Sequence, residues 1–310
     1  MSTLAIVYSL GTLLVSAGLL LLGRVAFARF AGFDVNHELT EADNPAVGTA
    51  LFGFIGGQIV VLAALLATDG AAMDDPTGIA WDLGELAGYG LLAIVLLKLS
   101  GFINDRLILH RFENRKELVD DRNVGAGAVL CGSYLASGLV LAGALSGRVD
   151  PSVLPETATR GEIVLHEVSV ALAFYALGQI ALVLYGLIYQ AIQPRNVHEA
   201  IERDYEQDGV RHGGNAAAGF AFGGNLAALG LVLYGATEGD FTGWSDNLLN
   251  FAIITGAGLL LLPAWRYFVD HVMLGKADLT KEIYDDRNVN AALLETASMV
   301  GLATVIILVV

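Results

Sequence analysis

Glu295 and Lys98 are ionisable side chains inside apolar runs long enough to cross a bilayer. A charge at the centre of such a span costs about 3 kcal/mol on insertion scales, so it is tolerated where it is paired or put to use. Glu295 follows Asn288 by seven residues, which places it about 10 Å into a helix at the usual rise per residue. Lys98 lies several residues before a basic loop and can reach a similar depth, so the two could pair. A proton- or cation-coupled site centred on Glu295 is one chemistry this permits. A structural ion pair, or a lysine snorkelling to the interface, is the other.

Weaker constellations surround these two. Glu162 and His166 stand at i, i+4 spacing beside Glu167, which suits two metal ligands or a proton relay, but no third ligand is visible. Gln58, Gln179 and Asn225 lie deep in spans, where such groups usually hydrogen-bond one helix to another. The charged loops hold Asp120, Asp121, Asp285 and Asp286 with Arg122 and Arg287, and further on Asp204, Glu206 and Asp208. They could bridge a divalent cation, meet an anion or dock a partner. No EF-hand, P-loop, HExxH motif, serine nucleophile elbow or haem-ligand pattern is present, so neither an enzyme nor a cofactor is expected. Cys131 is the single cysteine, which excludes an intramolecular disulfide.

The elements that must position these residues are membrane helices. The 310-residue chain is 55% hydrophobic and only 16% charged, and a run apolar all round for about 20 residues matches a hydrocarbon layer rather than a soluble core. Spans are predicted over 4–23, 45–68, 83–104, 124–146, 163–191, 215–236, 247–269 and 289–309, the fifth being the longest. Asp82 is placed to cap the third, while Gly70, Gly147 and Gly235 stand where helices should stop. A net charge of −15 excludes nucleic acid and most of an anionic lipid surface as partners.

Orientation follows from the basic residues, which are retained on the cytoplasmic side of short loops. Odd-numbered connections and their flanks hold Arg24 and Arg29, then Arg106, Arg111, Arg115, Lys116 and Arg122, then Arg195, Arg203 and Arg211, and finally Arg266, Lys276, Lys281 and Arg287. The second and sixth connections have none. Both termini are therefore expected outside the cytoplasm, in a multi-pass protein of the cytoplasmic (inner) membrane.

Every even-numbered span opens alike, at Asn44, Asn123, Asn215 and Asn288, and nine residues on stands Gly53, Gly132, Gly224 or Ala297. Two copies share the run Asp-Asp-Arg-Asn, ending at Asn123 and Asn288. Corresponding Asn residues in the two halves are separated by 171 and 165 positions, so a tandem duplication is the simplest account. Seven residues after each Asn stands Leu51, Leu130, Phe222 or Glu295, which sets Glu295 apart. An Asn here can cap its helix, and gathered N-termini could also attract an anion. Gly53, Gly56 and Gly57, with Gly219, Gly223 and Gly224, form faces that let helices approach closely.

These repeated Asn, Ala and Gly motifs resemble the DUF350 family (YjfL-like, UPF0719) of inner-membrane proteins, whose domain has about four spans and a helix-opening Asn-x-Ala motif. The resemblance covers two tandem copies, 1–147 and 161–310, with 148–160 as an extracytoplasmic linker. It implies an all-α scaffold of eight transmembrane helices, arranged as four helical hairpins in two parallel four-helix repeats, and it implies no activity. Parallel repeats are one established transporter architecture. The expected function is a small ion or solute transporter or channel in the lipid bilayer. The alternative is a non-transporting scaffold that docks a cytoplasmic partner through its charged loops. A homo-oligomer is compatible with either.

Overall fold

The computed structural model describes residues 3–67, 75–110, 113–207, 209–273 and 277–309. Gly70, Arg111, Asp208 and Lys276 lie outside the described residues. The long helices are α1 (Thr3–Arg29), α3 (Pro45–Ala67), α4 (Pro76–Ile103), α6 (Val124–Ala144), α7 (Arg160–Ile192), α9 (Ala216–Thr237), α10 (Trp244–Phe268) and α11 (Val289–Val309). Three one-turn helices join them at one end: α2 (Val35–Thr40), α5 (Asn114–Val119) and α8 (Val197–Glu202). A hairpin of β1 (Tyr205–Gln207) and β2 (Val210–His212) follows α8. Eight helices are long and apolar enough to cross a membrane, and the fold is that of an all-α multi-pass membrane protein.

Several helix ends differ from the sequence expectation. Asp75, not Asp82, caps α4, because its carboxylate accepts from the N–H groups of Thr77 and Gly78 and Pro76 needs no donor at the first position. Asp82 instead pairs with Arg160 at 2.9 Å. Gly235 does not stop α9 but lies inside it against Ile307, while Gly147 falls just beyond α6 against the backbone of Gly239. At the other end α4 and α10 run on as π-turns, Asn104–Ile108 and Val269–Met273.

The four helices that open at Asn stand side by side in chain order, α3, α6, α9, α11, and each is packed directly on the next. Small residues make this possible. A Cβ at Gly53 would strike the backbone of Cys131, one at Gly132 that of Gly223, and one at Gly224 the side chain of Thr296. The remaining long helices fill the grooves of this row: α4 against α3 and α6, α7 against α6 and α9, α10 against α9 and α11. The short connectors follow the same rule, with α5 touching α3 and α6, α8 touching α6 and α9, and the π-turn Lys281–Asp285 touching α9 and α11. Only the first unit differs, since α1 rests chiefly on α3 and α4, and α2 on α3. The fold is thus an open series of four like units, in which every outer helix and connector after the first unit sits between its own inner helix and the preceding one.

Candidate functional site

The end where the Asn residues lie, the motif end, is built four times over. The residue before each Asn takes a left-handed backbone: Asp43 (φ 48), Arg122 (φ 49), Gly214 (φ 60) and Arg287 (φ 54). This turns the chain into the helix and aims the Asn Oδ1 at the free N–H groups of its first turn. Oδ1 accepts from Ala46 at 3.0 Å, Ala126 at 3.2 Å, Ala218 at 3.1 Å and Asn290 at 3.0 Å in the four units. The Asn amide groups face the other way. Asn44 donates to Glu38 at 2.7 Å, Asn123 to Glu117 at 2.7 Å and Asn288 to Glu282 at 2.8 Å, while the equivalent of these carboxylates in the third unit is Ala200.

The same amides also join units. Asn44 donates to the Leu118 carbonyl at 2.8 Å, Asn123 to that of Ile201 at 2.6 Å and Asn215 to that of Ile283 at 2.9 Å. Asn44, Asn123 and Asn215 therefore each cap their own helix and tie the next connector to it. Free N–H groups of the four helix N-termini are thus met by the side chains of their own Asn residues.

The loop charges are largely paired. Lys116 meets Asp121 at 2.8 Å, Arg195 meets Asp285 at 2.9 Å and Lys281 meets Asp286 at 3.7 Å. Arg122 is exposed. Arg287 lies over the ring of Tyr205 at 3.5 Å, and it lines a cavity of about 260 Å³ with Arg195, Arg203, Asn215 and Tyr284. Burial, with Arg203 nearby, pulls the Arg287 guanidinium below its usual range. Arg122 and Arg287, equivalent in sequence, thus differ in surroundings.

Behind Tyr284 is a buried polar cluster between α7, α9, α10 and α11. Glu295 is 0% exposed; its Oε1 accepts from Asn225 at 2.8 Å and from Arg266 at 3.1 Å. Asn225 accepts in turn from the Tyr185 hydroxyl at 2.7 Å. Among the described residues Glu295 Oε2 and Arg266 Nη2 are buried without a hydrogen-bond partner, and the hydroxyls of Tyr189 and Tyr284 feel the field of this pair. Such an unfilled pair in a low-dielectric interior is costly unless something else completes it.

Lys98 is elsewhere, with its ammonium over the rings of Phe27 at 5.1 Å and Phe54 at 5.8 Å. Lys98, which the sequence left as a possible partner of Glu295, does not meet it, and the cation beside Glu295 is Arg266 at 3.1 Å. Arg266, tallied with the loop charges although it lies within the predicted span 247–269, is on the last turn of α10 with its guanidinium buried in the core. The apolar run Tyr267-Phe268-Val269 beyond it was the available signal.

At the far end Glu162 is folded back onto Thr159 in a capping box, and it does not share a ligand set with His166. The His166 ring packs on Phe241 at 5.5 Å, and Glu167 accepts from the Tyr89 hydroxyl at 2.5 Å. Glu167, Asp82, Glu85 and Arg148 border a cavity there. Gln58 donates to the Leu19 carbonyl at 2.6 Å and Gln179 to Ser137 at 3.0 Å, each across two helices. No cluster of metal-ligating side chains occurs among the described residues.

The sequence model of the family described as Domain of Unknown Function (DUF350) matches residues 1–145 and 163–310. A UPF0719 transmembrane protein of Aquifex aeolicus (strain VF5) is 21% identical over 216 residues, covering 69% of this chain and 71% of that protein. No solved structure matches the chain. Two matches spanning nearly its whole length, each taking in two of the four Asn-opened units, make this chain a member of the DUF350 family that carries the domain twice in tandem.

Proposed function

We propose that the protein moves a small ion across the cytoplasmic membrane, with Glu295 and Arg266 as its working pair and the motif end facing the cytoplasm. The observation that carries this reading is the unfilled half of that pair. A carboxylate oxygen and a guanidinium nitrogen are buried inside the spans without partners, behind a tyrosine that also lines the Arg287 cavity. An intramembrane carboxylate is retained where it relays protons or meets ions, and on this reading an ion or proton takes the place of the Arg266 contact during transport. The acidic groups at the far end, Glu85 and Glu167, stand at the other mouth. On this reading the charged loops gather ions and the Asn caps hold the helices in register.

The test is flux of protons, Na⁺, K⁺ and chloride in proteoliposomes at controlled membrane potential, comparing wild type with Glu295→Gln. Wild-type flux of one ion that Glu295→Gln abolishes, in protein that still unfolds at its normal temperature, supports transport. The closed, directly bonded Glu295–Arg266 contact favours the rival reading, a scaffold whose charged loops dock a cytoplasmic protein. Absence of flux for all four ions would decide for that rival.

A further inference from the structure

The four units form a series that is satisfied inside and unsatisfied at both ends. Three Asn amides reach the carbonyl that follows the acidic position of the next connector. Among the described residues no connector follows Asn288, which there donates only to Glu282 and is the one of the four that is not buried. At the other end the matching carbonyl is that of Leu39, one residue after Glu38, and it accepts nothing among the described residues. One end offers a donor and the other an acceptor, in the same structural role as the three bonds already formed.

The helix faces end in the same way. Nine and thirteen residues after each inner Asn, the position faces the following inner helix or is buried: Gly53 and Gly57 lie against α6, Gly132 and Ala136 against α9, Gly224 against α11, and Ala228 is buried. The equivalents on α11 are Ala297 and Gly301, both exposed, with nothing within 4 Å of a Cβ placed on Gly301. The receiving face is formed by the residues eight and fifteen after the Asn, which are buried or half-buried on α6, α9 and α11. On α3 these are Phe52 and Ile59, at 68% and 50% exposure. Small residues at one end therefore match large ones at the other. The outer layer is open on the same side, since α1 and α2 lack the preceding inner helix that every other outer helix and connector touches.

We propose that a second copy of this chain continues the series, its α3 seated on α11 and its Leu39 carbonyl accepting from Asn288. The contact is head-to-tail, so the two surfaces are different and each copy still has one of each to offer. Large side chains at Phe52 and Ile59 set this junction wider than the glycine-lined ones within the chain. The inference does not depend on what the protein moves.

The test uses full-length protein in native membranes with Cys131→Ala as background. Ala297→Cys is placed in one tagged chain and Phe52→Cys in another, because the equivalent pair within the chain, Gly53 and Cys131, has backbones in direct contact. Oxidation should link the two tags when both chains are expressed together and should give no linked product from either chain alone. In lipid nanodiscs, native mass spectrometry should show two or more copies, and Gly301→Trp should reduce these to single chains with the unfolding temperature unchanged. Single copies of wild type, or Ala297→Cys linking to itself across a symmetric contact, would overturn the proposal. A wild-type assembly that Gly301→Trp leaves intact would overturn it as well.

Discussion

The two halves of the chain share a scaffold and differ in what they bury at mid-depth. Seven residues after its Asn, the second inner helix has Leu130 and the fourth has Glu295. Around the first position are Phe54 and Tyr134, edge to face at 5.3 Å, with Phe27 beside them and Lys98 over two of the rings. Around the second are Arg266, Asn225 and Tyr185 in a hydrogen-bonded chain, and Tyr189 stacked on Phe222 at 4.8 Å. The motif end is nearly the same in both, down to the left-handed residue and the Glu–Asn bond. The backbone end that sets helix spacing is common, and the helix middle, where a ligand could be met, is not. In this protein the repeat is a packing device, and the buried Glu295–Arg266 pair is particular to one half.

The largest way to break the comparison is to make the second half resemble the first. Glu295→Leu leaves Arg266 buried and unpaired, and removing one member of a buried pair costs about 3–5 kcal/mol. Adding Arg266→Met should restore most of that loss, since an apolar replacement of both members is often neutral. Thermal unfolding in detergent checks both variants. If Glu295→Leu alone is harmless, the pair is more hydrated than its burial implies.

The junction between the halves is the next test. Gly132 lies on the backbone of Gly223, so Gly132→Leu forces α6 from α9 and should cost about 1–3 kcal/mol or more from overpacking. Gly84, with nothing within 4 Å of an added Cβ, should accept leucine with no loss and a small gain in helix propensity, about 0.5–1 kcal/mol. Equal effects at the two sites would mean that the inner row is not held by close backbone contact.

A smaller difference separates the two Asp-Asp-Arg-Asn motifs. Asn123→Ala removes a cap, a bond to Glu117 and the bond to Ile201, for about 2 kcal/mol, where Asn288→Ala removes a cap and one bond to a partly exposed Glu282, for about 1 kcal/mol. Urea midpoints of the two variants measure the gap. Equal losses would show that the unit-to-unit bond adds nothing.

Sequence reasoning reached the spans, their repetition and the Asn motif because these depend on local properties, namely run length, breakers and spacing. It located Glu295 by the mismatch with Leu51, Leu130 and Phe222. It offered Lys98 as a possible partner of Glu295, whereas Arg266 takes that place, because which face of a helix turns inward is decided by packing and Arg266 was counted with the loop charges. The aromatic surroundings of Lys98 come from α1 and α3, and the carbonyls that receive Asn44 and Asn123 lie 74 and 78 residues downstream. No local pattern encodes such partners. Asp82 followed the same course: a capping residue by type, it is taken by Arg160 from another helix.

The smallest expected effect concerns protons at the motif end. Glu117 is 1% exposed, covered by the following unit. Burial raises its carboxyl above the usual range, with Asp121 and Glu202 adding to the rise and Asn123 and Lys116 opposing it. A carboxyl that holds its proton more tightly folded than unfolded makes the folded state the greater proton binder. Stability then falls as pH climbs from the ordinary carboxylate range through the raised value, and it is fully present only below both. Glu117→Gln can still accept from Asn123, so it should keep the helix in place and remove this part of the slope, which is at most about 1.4 kcal/mol per pH unit for one proton. Unfolding temperature from pH 4 to 8, for wild type against Glu117→Gln, measures it. An unchanged slope would mean that water reaches Glu117 and that the units are looser at this end than their hydrogen bonds suggest.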